Sequence, residues 1–256
     1  MTTLHAFVIS WTGQAAAAEE IAAQLAPHVE RLTVIHSDNS EAALPAGWVR
    51  TPNDWFFGRK FEHCLGLFEG EVMLQVSADL LCEDWGGLAT SCRAAFDNLA
   101  ALGVWGPDVD STYWDLQMTD LARITGSTAH CVTLIDSVVW AMRRAVADRL
   151  VGLDFTCNSL GWGIDRMAAL FSHVSGRLVV REQGLRIVHP PGSGYDHAEA
   201  NAQSDAFLRQ MAPAEAVQNV LFNAVHVLHR QERDRQFAGN TSTGSTGLAL
   251  SSGVGA

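Results

Sequence analysis

Short apolar, β-branched runs alternate with stretches whose apolar positions recur every three or four residues through the first hundred positions. LHAFVIS (4–10) and RLTVIHS (31–37) read as strands, and the Ala-rich segment between them puts Ile21 and Leu25 on one helical face. WVRT (48–51) predicts a third strand. Phe61, Cys64, Leu65 and Phe68 then fall at i, i+3, i+4 and i+7 of a helix, and EVMLQVS (71–77) reads as a strand buried on both faces. Trp85, Leu88, Cys92, Phe96 and Leu99 mark a further helix ended by Gly103, and LGVWG (102–106) returns to extended chain. This alternation predicts an α/β fold, a mostly parallel sheet flanked by helices.

Beyond Pro107 the periodicity loosens. DVDSTYWDLQMTDL (108–121) mixes aromatics and acids without a period and reads as a surface insertion. HCVTLID (130–136) predicts a strand, followed by a helix carrying Val139, Met142, Val146 and Leu150. Ile164, Met167, Ala168, Phe171 and Val174 form another helical face just after GWG. RLVV and LRIV, separated by REQG, predict a hairpin or two short strands around Gly184, and PPGSG (190–194) breaks both periods as a loop. A C-terminal helix starts at Pro213 with Val217, Leu221, Val225 and Leu228 on one face, suited to docking on the core or to an oligomer contact. The chain divides into one domain over 1–237 and a flexible Gly/Ser/Thr-rich tail over 238–256.

Composition narrows the function. With 48% apolar and 18% charged residues the chain is too hydrophobic for general disorder, and its 256 residues suffice for a sizeable core. A net charge of −11 argues against broad phosphate-backbone contact, so no nucleic-acid partner is expected, although one small anion fits a local basic pocket. The five cysteines form no CxxC pair and sit in or beside apolar segments, which fits a reducing cytoplasm. No signal-like start and no 18-residue apolar stretch occurs, so neither secretion nor a membrane span is implied.

In open α/β sheets ligands bind beyond the carboxyl ends of parallel strands, which directs attention to Ser10-Trp11-Thr12, Asp38-Asn39-Ser40 and Ser77-Ala78-Asp79. Neither GxGxxG nor GxxxxGK[ST] follows a strand, which removes the usual support for a dinucleotide fold or a P-loop. Asp79 directly ends the strongest buried strand, where a hard oxygen serves either as a turn cap or as a ligand for Mg²⁺ or Mn²⁺ against a diphosphate. His189, after the run 185–188, is either a structural residue or a second ligand. GWGID (161–165) places Asp165 in the first turn of a helix, as a cap or as a carboxylate beside the aromatic surface of Trp162 that deprotonates a sugar hydroxyl. Among the tryptophans, Trp85, Trp105 and Trp140 lie in periodic apolar segments and belong to the core, whereas Trp114 is free for an acceptor.

In this order, a first strand, an Asp near the end of the second, a strand ending in SAD, then GWGID and a late His before a Gly-rich loop, the chain resembles the nucleotide-diphospho-sugar transferases of the GT-A fold. The resemblance is to family 2 glycosyltransferases in particular and spans roughly residues 4–197. It implies a nucleotide-sugar donor, a saccharide or other hydroxyl acceptor, Mn²⁺ or Mg²⁺, and transfer with inversion. Asp38 matches the second acid of the segment that contacts the nucleoside, with Ser37 in place of the first. Asp79 matches the metal-binding last acid of the DxD motif, with Ser77 in place of the first, and His189 resembles the His that completes the metal site. Asp165 matches the general base of inverting members, with Ile164 in place of the preceding Glu. Ser10, Trp11 and, by position at a helix start, Arg59 and Lys60 complete the expected donor site, while Trp114 and Trp162 are the acceptor candidates. Two further readings stay open: a nucleotide-sugar-binding module without transfer activity, and nucleotidyl transfer to a sugar phosphate, which lacks its Gly-rich phosphate loop here.

Overall fold

The computed structural model describes residues 1–110, 112–190 and 194–243, with side chains described to residue 235. Nine strands form one sheet: β1 (Leu4–Trp11), β2 (Arg31–Ser37), β3 (Trp48–Thr51), β4 (Val72–Ser77), β5 (Leu102–Val109), β6 (Asp120–Arg123), β7 (Ala129–Val132), β8 (Val139–Arg143) and β9 (Leu178–Ile187). Their order is β3-β2-β1-β4-β8-β5-β9-β7-β6. The first four run parallel, as the βα alternation predicts, whereas β8 enters antiparallel between β4 and β5, and β7 lies antiparallel to both β9 and β6. The helices are α1 (Ala15–Leu25), α2 (Phe57–Leu67), α3 (Trp85–Asn98), α4 (Leu116–Thr119), α5 (Arg144–Val151), α6 (Ile164–Val174), α7 (His197–Leu208) and α8 (Pro213–Thr243).

Both faces of the sheet are covered, which is why its central strands are apolar at nearly every position. Along β1, Phe7 and Ile9 enter one core with Phe61 of α2 and Met167 of α6, while the alternating Leu4, Ala6 and Val8 enter the other with Leu25 of α1 and Leu88 of α3. Phe61 stacks between Trp140 and Phe57 at ring distances of 5.4 and 5.8 Å. Trp85, Trp105 and Trp140 are buried as expected. Full burial of each such side chain stabilises by roughly 1.5–3 kcal/mol.

Four expectations are corrected. Residues 139–143 are strand rather than the first turns of a helix: a strand buried on both faces is apolar throughout, so Val139 and Met142 match a helical period by coincidence. RLVVREQGLRIV is one strand, not a hairpin, because a register shift against β5 between Pro107 and Asp108 absorbs the REQG segment. Around the expected 108–121 insertion, β5 runs on to Val109, and α4 and the start of β6 occupy 116–121; of the strand expected over 130–136, only 130–132 lie in β7. Finally, α8 docks through Glu215, Phe222 and His226, whereas Val217, Leu221 and Leu228 of the expected face are more than half exposed. Arg149 holds Glu215 across that contact and His226 meets the Thr133 hydroxyl at 2.7 Å, so polar pairs select the docked face. The helix continues to Thr243, past the boundary drawn at 237; residues 244–256, and 191–193 of the PPGSG loop, lie outside the described residues. Among the described residues no helix is long and apolar enough to cross a membrane.

The start of α2 is pressed onto the turn that leads into α6. Gly58 N–H donates to Ser159 O at 2.8 Å, and a Cβ at Gly58 would overlap the Asn158 carbonyl oxygen. Asn158 holds the turn from within, accepting from Gly161 N at 2.9 Å and donating to the Trp162 carbonyl at 2.9 Å. Gly161 and Gly163 both have positive φ, 89° and 87°, which a side chain would strain. Gly58→Ala is therefore expected to destabilise by about 1–3 kcal/mol. Gly66→Ala on the same helix, exposed with nothing near its added Cβ, is expected to stabilise by ~0.5–1 kcal/mol. Thermal unfolding of the two variants checks this, and equal melting temperatures would contradict the close approach.

Candidate functional site

The carboxyl ends of β2, β1 and β4 lie side by side, with Trp11 in register with Ser37 and Ile9 with Ser77. Ser10, Asp38 and Asp79 thus leave adjacent strands at one edge of the sheet. Ser10 is buried, and its Oγ lies 3.0 Å from His36 Nδ1; His36 Nε2 lies 3.2 Å from Asp38 Oδ2. Arg50 Nε reaches the other Asp38 oxygen at 3.3 Å, so the carboxylate is held on both sides. Lys60 is buried in the first turns of α2 and donates to the Ser10 carbonyl at 3.0 Å, with its ammonium 5.6 Å from the centre of the Trp11 ring. Burial, opposed weakly by Cys64, lowers its pKa to about 8. Of the two cations at this helix start, Arg59 instead pairs with Glu62 at 3.2 Å.

Asp79 and His189 meet as the sequence order anticipates. Leu81 and Val188 exchange two backbone hydrogen bonds of 2.9 Å, which ties the end of β9 to the loop after β4. This brings His189 Nε2 to 3.6 Å from Asp79 Oδ2, and the neighbouring carboxylate raises the His189 pKa against the opposing effect of burial. The other oxygen, Asp79 Oδ1, is buried and has no hydrogen-bond partner among the described residues. A desolvated carboxylate oxygen without a donor is costly, and a cation there would satisfy it. No group of three or more His, Cys, Asp or Glu residues among those described is placed to hold a metal. The pair nevertheless fits Mg²⁺ or Mn²⁺, which commonly take one or two protein ligands and complete their shell with water and phosphate oxygens. Ser77, the last residue of β4 and two residues before Asp79, is buried, its Oγ accepting from Gln75 Nε2 at 3.3 Å.

Asp165 sits in the first turn of α6, partly exposed, and one of its oxygens accepts from the Arg166 N–H at 2.7 Å. Burial is the main cause, and the charge of Asp136 the second, that raises its pKa to about 7. Asp136 also acts on His189. It therefore joins the Asp79–His189 pair to Asp165 in one electrostatic cluster. Its own oxygens accept from Thr112 Oγ1 at 2.7 Å and from Val138 N at 3.1 Å, and the same Thr112 hydroxyl accepts from Trp114 N at 3.1 Å. Trp114 is half-buried between the Arg166 guanidinium, 5.2 Å from its ring, and the His226 ring at 5.4 Å. Trp162, two residues before α6, is partly exposed, and its indole N–H donates to the Tyr195 hydroxyl at 2.8 Å.

Sequence reasoning missed His36, Arg50, Asp136 and Arg166. Asp136 carried the same signal as Asp79, an acid closing a predicted strand. His36 carried none, because a His inside an apolar run reads equally well as core.

No protein-family model matches the chain, and no curated protein matches it. Among solved structures it is similar to GalNAc-T7 crystallised with UDP, GalNAc and Mn²⁺, at 11% identity and a TM-score of 0.56, over 84% of this chain and 49% of that one. It therefore spans about half the length of that protein. A mycobacterial protein matches at 13% identity and a TM-score of 0.52, over 81% of this chain and 72% of that one. The mannosyltransferase PcManGT from Pyrobaculum calidifontis, in complex with GDP-Man and Mn²⁺, aligns at 15% identity and a TM-score of 0.49, over 96% of this chain and 76% of that one. The α/β architecture, a large sheet flanked by helices, is of the GT-A-like kind.

Proposed function

We propose that the protein is a glycosyltransferase that moves a sugar from a nucleotide-sugar donor to an acceptor hydroxyl with inversion, in the manner of family 2 enzymes. The observation that carries this reading is Asp165: a carboxyl with its pKa raised to about 7, coupled through Asp136 to the Asp79–His189 pair at the strand ends. An alcohol is a poor nucleophile until its proton moves, and a base with a pKa near the working pH serves that step best. Asp165 takes the acceptor proton while the alcohol oxygen attacks the anomeric carbon and the bond from that carbon to the diphosphate breaks. Asp38 receives the nucleoside beside Trp11, the buried Ser10 and Ser77 support the strand ends behind it, and the buried Lys60 ammonium adds positive potential for the diphosphate. Asp79 and His189 would hold Mn²⁺ or Mg²⁺, which supplies positive charge to the departing diphosphate. Trp114 and Trp162 offer aromatic faces to the acceptor. That GalNAc-T7 shares the fold and was crystallised with UDP, GalNAc and Mn²⁺ is compatible with this assignment. The five free thiols support a reducing, cytoplasmic setting. A nucleotide-sugar-binding module is the second reading, favoured by Ser77 standing where an acid is expected, and donor turnover separates the two.

Asp165→Asn keeps size and capping ability but cannot accept a proton, so turnover is expected to fall by ~10²–10⁴ with donor affinity unchanged. A folded Asn variant with wild-type turnover would remove Asp165 from the mechanism. In the wild type kcat is expected to rise with pH through about 7, as Asp165 loses its proton.

Stability carries the opposite sign. A carboxyl whose folded pKa of about 7 lies above its ordinary 3.8 favours folding fully at low pH, and that contribution is lost as pH climbs between the two values. Relative to Asp165→Asn, the wild type is expected to lose melting temperature from pH ~4 to pH ~7 and no further above it. Parallel melting curves across that range would contradict a raised pKa.

For the metal, titration calorimetry is expected to show that Mn²⁺ strengthens nucleoside diphosphate binding in the wild type and not in Asp79→Asn. Equal affinities with metal and with chelator would leave a crevice that binds nucleotide unaided.

A further inference from the structure

Arg166 is hard to explain as a structural residue. It occupies the first turn of α6, the positive end of the helix, where a cation is disfavoured. Its guanidinium is largely withdrawn from water, and burial lowers its pKa. Such a group is expected to be paired, since Arg carries five N–H donors in a planar fork that fits carboxylate and phosphate. Yet among the described residues the Arg166 side chain makes no hydrogen bond and no ion pair. The buried or half-buried arginines elsewhere are all engaged: Arg93 with Glu30, Arg181 with Asp108, Arg143 with the carbonyls of Leu102 and Phe96.

The surroundings of Arg166 are those of a binding surface. Its guanidinium lies over the Trp114 ring, 5.2 Å from the ring centre, a contact that uses none of its N–H donors in a hydrogen bond. From the loop before α4 Tyr113 reaches the same place, with its ring 4.8 Å from that of Trp114, and it is 67% exposed, so this corner opens to solvent. From α8, His226 packs against Trp114, and burial together with the charges of Arg166, His229 and Arg230 lowers its pKa to about 4. It is therefore neutral near pH 7 and adds no second positive charge. Asp165, its neighbour in the chain, and Tyr113 both favour the charged guanidinium against burial, yet neither forms a hydrogen bond or an ion pair with it. The edge donors of the fork are thus left for a ligand.

We propose that Arg166 is the anion-binding residue of the acceptor subsite, so that the acceptor is a small hydroxyl compound bearing a carboxylate or a phosphate close to the hydroxyl that reacts. This rests on the reading of Asp165 as the base. Because Asp165 and Arg166 are consecutive in one helical turn, a ligand whose anion docks on Arg166 is anchored beside the base, and the fixed geometry lowers the entropic cost of aligning its hydroxyl. An anionic acceptor also answers the position of the cation: it supplies the missing partner and offsets the like-signed helix end.

Binding of three matched three-carbon probes, glycerol 3-phosphate, glycerate and glycerol, to the full chain tests the proposal by calorimetry and thermal shift. Wild type is expected to bind one or both anionic probes and not glycerol, with affinity falling as salt rises. Arg166→Gln is expected to weaken that binding by about tenfold or more, and Arg166→Lys to recover part of it. The ligand-free melting temperature of Arg166→Gln is expected to change little, since only the contact with the Trp114 ring is lost and no hydrogen bond or ion pair; a variant that no longer folds would mark Arg166 as structural and overturn the proposal. Equal binding of charged and neutral probes, no binding of either anion, or anion binding unchanged by Arg166→Gln would overturn it as well. Glycerol 3-phosphate without glycerate selects the phosphate source, and the reverse selects the carboxylate. Nucleoside diphosphate binding, measured alongside, separates the two readings. If it persists while the anionic probes fail, the acceptor assignment alone falls; if it is absent while Arg166-dependent anion binding stands, the transferase reading falls.

Discussion

The crevice depends on one close approach, the backbone of Gly58 against the turn at 158–161. α2 brings Lys60 to the end of β1, and the same turn delivers Trp162, Asp165 and Arg166 at the start of α6. Anything larger than glycine at position 58 would push the two helix starts apart. The glycines at 161 and 163 then permit two left-handed residues in quick succession, which aims α6 at the strand ends. A helix placed only by its apolar face could rotate or slide; this one is also held by the Asn158 side chain, bonded to Gly161 and Trp162 just before α6.

Covering both faces of the sheet has an electrostatic consequence. Polar groups are pushed to the carboxyl ends of the strands, where they are half-buried and sense one another strongly. Lys60 is lowered to about 8 and Asp165 raised to about 7, each moved toward neutrality chiefly by burial. His189 moves the other way, toward its charged form, because Asp79 stands beside it. The three groups are tuned by the same withdrawal of water, and the local partner decides the direction.

The second half of the chain assembles the acceptor side from distant segments. Thr112 links Trp114 to Asp136, the β6–β7 pairing anchors α4, and α8 closes over them with His226 on Trp114 and His229 Nδ1 at 3.0 Å from the Met118 carbonyl. Arg233 adds an ion pair to Asp115 at 3.6 Å. The Trp114 platform is thus built by elements more than a hundred residues apart in the chain.

Local pattern alone determined the parallel half of the fold and the residues at its strand ends. Period-two and period-3.6 apolar spacing are properties of a strand or helix by itself, so β1, β2, β4, α2, α3 and α6 were readable, and with them Ser10, Asp38, Asp79 and Asp165. The antiparallel entry of β8 was not, since a strand buried on both faces carries no period to distinguish it from a buried helix. The docked face of α8 was decided by polar partners, Arg149 for Glu215 and Thr133 for His226, and such pairs lie far apart in sequence. The same holds for Asp136 and Arg166. Their residue types were visible, but the raised pKa of the Asp165 carboxyl and the burial of the neighbouring guanidinium without a hydrogen-bonded partner arise only when long-range packing brings these groups together.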